Sequence, residues 1–554
     1  MPSTEADLRR LGRAVGHRSD PASAVVAQWQ QQAREVRRIH ERLFYRPLLI
    51  AAARLSSSEA RLTPEAARER LAALGFRDPA GAMRHLEALT GGLSRRAAIQ
   101  RTLLPVMLGW FADEADPDAG LLAFRRISDS LGSTHWYLRM LRDEGSAAER
   151  LAHVLARSRY AADLLIRAPE SVAMLGDAGG LTPRSREALL ATMSAATGRK
   201  KTADDAMTAA RVVRRQELFR IAVADLTGQL DLAGVGAALT DLTCATLQSA
   251  LEIATSRVEE EAGQLLGTRL LVVGMGSLGG GEMGYGSDAD VMFVHRCDDG
   301  GDETDAQKQA TLVVQEIRRL VGLAGPDPQL AIDSDLRPEG KQGPMVRSLG
   351  GFAAYYERWS LTWEAQALLR ATPVAGDADL GRAFCDLVNP IRRPQGGVSV
   401  HAIREIRMLK ARMESERLPR GADPKTHFKL GPGGLSDVEW TAQLVQLRHG
   451  YEVEGLRTTG TLAALVAAGK AGLIPPADVE TMAQAWKFAS ALRNASVLWR
   501  GRPVDALPSD LRDADGIGRI VGRRAGAGHE LAEAYRRLAR RARASVELNF
   551  YESH

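Results

Sequence analysis

The stretch that decides the fold is RLLVVGMGSLGGGEMGYGSDADVMFV, residues 269–294. It opens with a short apolar run of strand length, continues through seven glycines between Gly274 and Gly286, and closes on a second apolar run, 291–294. Short apolar runs bounded by glycines predict buried strands. The order strand, glycine-rich turn, strand therefore predicts an α/β sheet at this point of the chain.

Two carboxylates stand at the head of the second apolar run. Asp288 and Asp290 are two residues apart, so on a strand their side chains would share one face. Their spacing, about 6–7 Å along a strand, suits metal ions that bridge phosphates. A further predicted strand, 329–336, offers Asp333 and Asp335 as a third carboxylate. This set predicts metal-dependent nucleotidyl transfer.

The glycine-rich turn would hold the phosphates, since the N–H groups and the hydroxyl of the Gly276–Ser277 turn can bind phosphate oxygens. Two other interpretations compete with this one. GMGSLG (274–279) fits the GxGxxG fingerprint of dinucleotide-binding folds, but more glycines follow where that fold needs a helix. A purely structural turn is disfavoured by the two carboxylates, because unpaired carboxylates are costly to bury.

The rest of the chain is patterned as helices. Before residue 255 amphipathic segments such as 24–55 alternate with Gly and Pro breakers, and Thr63-Pro64 is typical of a helix start. Within the α/β block, 350–370 is predicted as one helix. The fold class is thus mainly α with an α/β module. The predicted domains are a helical N-terminal region (1–255), the α/β domain (256–395) and a C-terminal helical bundle (396–554).

Composition narrows the class of protein. The chain has 554 residues, a mass of 59.9 kDa and a net charge of +5, a mild excess that does not indicate nucleic-acid binding. Its three cysteines, Cys244, Cys297 and Cys385, are isolated, which disfavours a disulfide framework or a cysteine-based zinc site. It has neither a signal-peptide pattern nor a long apolar stretch. We expect a cytoplasmic protein with no membrane partner.

Two later stretches, DSDLRPEGKQGP (333–344) and FKLGPGGLSDVEW (428–440), complete the pattern. Together with 274–294 they resemble glutamine synthetase adenylyltransferase, a family of the DNA polymerase beta-like nucleotidyltransferase superfamily. Stretches 95–132 and 158–177 are also similar to it, so the resemblance covers nearly the whole chain. Family members usually carry a removing unit followed by an adding unit. The single unit here resembles the second, which implies a polymerase beta-like mixed sheet and the adding activity.

The resemblance implies a reaction and the groups that serve it. ATP and a tyrosine hydroxyl of glutamine synthetase would give adenylyl-tyrosine and pyrophosphate. Two Mg²⁺ ions would be held by Asp288, Asp290 and Asp333, which also form the catalytic set. Many members have Arg where this chain has Asp335, so the family pattern favours Asp333 as the third ligand. The nucleotide would be bound by a polar and glycine set: Gly276, Ser277, Ser287, Arg337, Lys341 and Lys429.

Regulation and alternatives also follow from the resemblance. It implies control by a PII-type signal protein and by glutamine as an effector. The closest alternative activity is the removing reaction, in which phosphate attacks adenylyl-tyrosine and releases ADP. A second is uridylylation of a PII signal protein. From another class, the chain could be a regulatory module that binds glutamine synthetase without chemistry, although the three carboxylates disfavour that.

Overall fold

The computed structural model describes residues 2, 4–17, 20–40, 64–132, 134–176 and 179–552. The chain divides into two units, one of residues 1–180 with 518–528 and one of residues 181–517 with 529–554. The domain boundaries predicted after residues 255 and 395 remain predictions. Of the predicted segment 24–55, residues 41–55 lie outside the described part, as does Thr63.

The first unit is helical in its described part. Ser94 and Asp116 begin two of its helices by accepting backbone N–H groups on their side-chain oxygens, as helix-capping residues do. The core is built from the apolar faces of these helices, with Phe111 and Phe124 fully buried and 6.3 Å apart between ring centroids. The helices are α1 (Glu5–Ala14), α2 (Pro21–His40), α3 (Pro64–Ala73), α4 (Pro79–Thr90), α5 (Arg95–Ala112), α6 (Pro117–Leu131), α7 (His135–Asp143), α8 (Gly145–Arg157) and α9 (Arg159–Arg167).

The second unit surrounds a small mixed sheet with helices. Before the sheet come α10 (Arg186–Thr197), α11 (Ala203–Leu226) and α12 (Leu232–Ala262). Among and after the strands lie α13 (Gly276–Gly279), α14 (Glu303–Val321), α15 (Leu349–Trp359), α16 (Thr362–Leu368) and α17 (Ala378–Arg392). The C-terminal part has α18 (Val400–Glu416), α19 (Leu435–His449), α20 (Thr461–Lys470), α21 (Pro476–Arg500), α22 (Leu511–Ile520, the last residues of which belong to the first unit), α23 (Gly528–Val546) and a π-helical turn (Glu547–Tyr551).

The sheet has five strands: β1 (Thr268–Gly274), β2 (Ala289–Cys297), β3 (Ile332–Asp333), β4 (Val346–Ser348) and β5 (Thr372–Gly376). Their order is β3-β2-β1-β5, and β4 also pairs with β2. β1 runs antiparallel to β2 and β5, whereas β2 is parallel to β3 and β4. The two apolar runs of the sequence are therefore the neighbouring central strands, as their pattern predicts.

The central strands are apolar because both of their faces are covered. Five consecutive residues of β2, Val291–His295, are buried, and β1 is buried at every position except Arg269. Strands covered on both faces have such near-continuous apolar runs. One side of the sheet packs on aromatic side chains of the helices, among them Phe352 and Phe384, whose rings meet edge to face at 5.5 Å.

The structure corrects the prediction of one helix over 350–370. That stretch forms two helices, α15 and α16. Glu364 explains the break, because its Oε2 accepts the N–H of Leu361 at 2.9 Å and so begins a new helix. The other Glu364 oxygen accepts the hydroxyl of Tyr355, also at 2.9 Å, which ties the two helices together.

Two strands also differ from the sequence prediction. β3 is shorter than the predicted 329–336 because the Asp333 side chain accepts the N–H of Asp335 at 2.8 Å, a turn that ends the strand. β5 was not predicted, since TPVAG (372–376) carries a proline. It lies at the edge of the sheet, beside an irregularity in the pairing with β1, where Pro373 is tolerated.

Among the described residues, none of the helices combines the length and apolar character that a membrane crossing requires.

Candidate active site

The predicted carboxylates meet at one end of the sheet. Asp290 of β2 and Asp333 of β3 are register partners across the parallel pair. Asp288 immediately precedes β2 and is exposed, whereas Asp290 is half-buried. Sequence spacing alone predicts Asp288 and Asp290 as neighbours; the pairing of β3 with β2 adds Asp333.

The surroundings of Asp290 disfavour its negative charge. Burial raises the pKa of Asp290 to about 6, and the charges of Asp333 and Asp288 act in the same direction. The positive charges of Lys429 and Arg370 oppose this shift. Three carboxylates are thus close enough to repel one another, and two cations from distant parts of the sequence reach the same point.

The predicted phosphate turn is directly beside Asp290. Gly276 has a φ of +50°, and a Cβ placed on it would lie 2.1 Å from Oδ2 of Asp290, so only glycine fits. The turn continues as the short helix α13, whose first N–H groups have no partner within the helix. No described residue forms a hydrogen bond with the hydroxyl of Ser277. These donors are available to a ligand at the place where the sequence predicts phosphates.

A cavity of about 330 Å³ is lined by two of the carboxylates, Asp288 and Asp333. Charged side chains dominate its wall, which contains Asp288, Arg318, Ala331, Ile332, Asp333, Ser334, Asp335, Arg337, Lys341 and Met345. Asp290 is not part of this wall. Asp290 thus borders the glycine-rich turn, whereas Asp288 and Asp333 line the cavity.

Two of the residues predicted to bind nucleotide form hydrogen bonds that shape the protein's own loops. Arg337 is buried and donates to three carbonyls, those of Ser334 at 2.8 Å, Gly343 at 3.1 Å and Lys341 at 3.2 Å. It therefore holds the loop that follows β3. The Oγ of Ser287 accepts the N–H of Gly284 at 2.9 Å and shapes the glycine-rich turn. Their roles toward nucleotide remain predictions.

Asp335 is set apart from the other carboxylates by cations. Its carboxylate lies 3.3 Å from Nζ of Lys341 and 3.8 Å from Nη1 of Arg337. Asp333, in contrast, affects Asp290 directly. The geometry favours Asp333 over Asp335 as the third member of the site.

Sequence reasoning missed a buried cluster that holds the glycine-rich turn. Arg370 donates to the carbonyl of Gly276 at 3.3 Å, and its guanidinium lies 3.3 Å from the carboxylate of Glu282. Glu282 in turn accepts the N–H of Thr461 at 2.6 Å and its hydroxyl at 2.8 Å. Thr461 begins α20, so the cluster ties the turn to the C-terminal helices. Three segments far apart in sequence form it, and no local motif marks it.

The predicted motif 428–440 contains a buried ion network. Asp437, in the first turn of α19, accepts the N–H of Gly433 at 2.7 Å. It also bonds Lys410 and, at 3.0 Å, Arg543. Lys429, from the same motif, is exposed and acts electrostatically on Asp290. The motif therefore contains a structural carboxylate, Asp437, and an exposed cation, Lys429, whose charge acts on Asp290.

The carboxylates are suited to Mg²⁺ by their chemistry. The ion prefers oxygen ligands and is commonly bound by one or two carboxylates together with substrate phosphates. Burial, followed by the charges of Asp333 and Asp288, raises the pKa of Asp290, and a bound divalent cation would offset the charge of these carboxylates. In the described part of the chain, no three His, Cys, Asp or Glu side chains already stand at the spacing of metal ligands. The fit therefore rests on donor type and charge.

A mixed sheet in which a glycine-rich turn faces carboxylates from two strands is consistent with a nucleotidyltransferase module. Comparison with known families agrees. Residues 148–386 match the family model described as glutamate-ammonia ligase adenylyltransferase, and residues 407–551 match that of GlnD PII-uridylyltransferase.

Individual relatives point the same way. The chain is 57% identical over 568 residues to the bifunctional glutamine synthetase adenylyltransferase/adenylyl-removing enzyme of Streptomyces coelicolor, a match that covers 100% of this chain and 56% of the relative. The enzyme of the same name from Cutibacterium acnes is 47% identical over 551 residues, covering 100% and 55%. This chain is therefore similar, along its whole length, to enzymes of the glutamine synthetase adenylyltransferase family. It spans about half the length of the curated relatives it matches.

Proposed function

We propose that this chain transfers the adenylyl group of ATP to a tyrosine hydroxyl of glutamine synthetase and releases pyrophosphate. The observation that carries the proposal is the pairing of Asp290 with Asp333 beside the Gly276 turn. Asp290 adjoins the Gly276 turn, and its strand partner Asp333 lines the cavity. Such an arrangement suits a reaction in which one substrate brings phosphates and the other brings a hydroxyl.

Each residue of the site would have its own role in the reaction. Gly276 and Ser277 hold the outgoing phosphates through backbone N–H groups and the free hydroxyl. Lys429 and Arg370 offset the phosphate charge near Asp290. Asp333, which lines the cavity, would either bind the ion that activates the phenol oxygen or accept the proton that the phenol loses as its oxygen attacks the α-phosphorus. The bond from that phosphorus to the bridging oxygen breaks, and pyrophosphate leaves.

Asp288, Asp290 and Asp333 would hold Mg²⁺, as two ions. The ions would supply positive charge for the phosphate oxygens and make the acceptor oxygen a better nucleophile. Ser287, Arg337 and Lys341 would support this site, the first two by shaping its loops.

The partners follow from the same proposal. Glutamine synthetase is the acceptor, and the likeness of residues 407–551 to GlnD PII-uridylyltransferase supports a PII-type signal protein as regulator. Glutamine is proposed as an effector. Since ATP and glutamine synthetase are cytoplasmic, we expect the protein to act there.

A dual-label experiment tests the proposal. The chain is incubated with purified glutamine synthetase, Mg²⁺ and ATP labelled either at the α- or at the γ-phosphate. We expect the α-label on a synthetase tyrosine and the γ-label in pyrophosphate. Release of ADP from pre-adenylylated synthetase in phosphate, without any forward transfer, would instead assign the removing reaction. Labelling of a PII protein by UTP would assign uridylylation.

A further inference from the structure

Two different sets of cations are associated with the paired carboxylates. Lys429 and Arg370 act on Asp290 next to the glycine-rich turn, and neither contributes to the cavity wall. The cavity has a different set of cations, formed by Arg318, Arg337 and Lys341.

The three cations of the cavity differ in the hydrogen-bond acceptors and carboxylates that they already contact. Arg337 is bonded to backbone carbonyls, and Lys341 lies 3.3 Å from Asp335. Arg318 is exposed, and no described carboxylate lies within salt-bridge distance of it. Its contact in this part of the chain is a long one, 4.0 Å from Nη1 to the sulfur of Met345. Its neighbour Arg319, by contrast, is paired with Glu316.

We propose that this cavity receives the acceptor segment, and that Arg318 binds an acidic side chain close to the target hydroxyl. The inference rests on the proposed function and names the substrate class that its second site takes. Phosphates are assigned to the Gly276 side, so the cavity on the Asp333 side is left for the second substrate. A carboxylate on that segment would give Arg318 the charge-assisted partner it lacks. Ile332 and Met345 would contact the apolar part of the segment.

Kinetics of the full chain test this with matched variants. Arg318→Glu is expected to raise the KM for glutamine synthetase about tenfold or more, because it puts like charge against the acceptor. The KM for ATP should stay within about twofold. Arg318→Lys should restore most of the loss. Arg382→Ala is the control, because Arg382 is an exposed arginine whose ion pair among the described residues is with Asp379 on its own helix. The inference is overturned if Arg318→Glu raises the KM for ATP instead. It is also overturned if Arg318→Glu and Arg382→Ala change the KM for glutamine synthetase equally.

A peptide-binding experiment tests this inference separately from the proposed function. Short synthetic peptides with one tyrosine, flanked by either Glu or Gln, are titrated by calorimetry into wild type and Arg318→Glu in the presence of ATP and Mg²⁺. We expect tighter binding of the Glu peptide, and loss of that preference in the variant. If synthetase is not modified but this preference holds, the proposed function fails and the cavity assignment stands. The cavity assignment is overturned if both peptides bind equally. It is also overturned if inorganic phosphate, and not the Glu peptide, is the ligand whose binding depends on Arg318.

Discussion

Asp290 of β2 and Asp333 of β3 are partners in a parallel strand pair that is only two residues long. Such a short pair contributes little to the stability of the sheet. Its effect is to bring together one carboxylate from each of two strands. The hydrogen bond from Ala289 N–H to the Ala331 carbonyl, 2.8 Å, extends the pairing at its start.

This relationship predicts which carboxylate completes the site. Asp333→Asn should lower adenylyl transfer by about a thousandfold, a loss typical of a group that acts on the reacting atoms. Asp335→Asn should lower it less than about tenfold, since Asp335 bonds Lys341 rather than facing Asp290. Initial rates at saturating ATP measure both. The assignment would be reversed if Asp335→Asn were the more damaging change.

The buried Arg370 should be needed for folding as well as for activity. Arg370→Ala leaves the buried carboxylate of Glu282 without its cation, and breaking such a pair costs about 3–5 kcal/mol. Urea denaturation measures the loss. Arg382→Ala removes one partner of an exposed pair and should change stability by no more than about 1 kcal/mol. Equal stability of the two variants would contradict the role given to the cluster.

The network around Asp437 predicts a structural effect without a direct catalytic one. Lys410→Met leaves Asp437, whose side chain is 1% exposed, with Arg543 as its main cation, and should destabilise the protein by about 3–5 kcal/mol. The activity of the fraction that stays folded should be nearly normal. Lys308→Met is the matched control, because its pair with Asp305 is exposed. A large fall in the kcat of fully folded Lys410→Met would instead place the network in the mechanism.

Asp225 predicts a pH dependence of stability. Burial raises its pKa from 3.8 to about 6, although the hydroxyl of Tyr285 donates to it at 2.9 Å. The folded state therefore binds a proton that the unfolded state has released, and the free energy of unfolding falls as pH rises from about 4 to about 6. The fall is at most about 3 kcal/mol.

Asp225→Asn keeps an acceptor for Tyr285 and removes the titration. Urea midpoints of the two proteins, measured from pH 4 to 7, should separate in favour of the variant as pH rises. Parallel curves would show that Asp225 does not titrate in this range.

Local patterns were sufficient to predict the central strands, the glycine-rich turn and the first two carboxylates. Apolar runs of strand length predicted β1 and β2, and glycine spacing predicted the turn, because these features depend on neighbouring residues. Motifs of the family led to Asp333 and Lys429, and the structure brings both near Asp290.

What the sequence could not predict depends on contacts between distant segments. Arg370 meets Gly276 and Thr461 only after the sheet and α20 have assembled. β5 contains a proline, which argues against a strand unless its edge position is known. The break in 350–370 follows from one side chain, Glu364, that caps a backbone N–H. The first two features depend on tertiary structure that overrides a weaker local preference, whereas the break at Glu364 depends on a contact only three residues along the chain.

The most direct test of the account is a single-turnover transfer from α-labelled ATP to glutamine synthetase, in wild type and in the Asp290→Asn/Asp333→Asn double variant. ATP binding by both proteins is measured in parallel, so that a loss of ATP binding is distinguished from a loss of the chemical step. The account predicts label on a synthetase tyrosine with wild type and none with a folded double variant. Label transferred equally by both proteins would contradict the claim that the paired carboxylates carry the reaction.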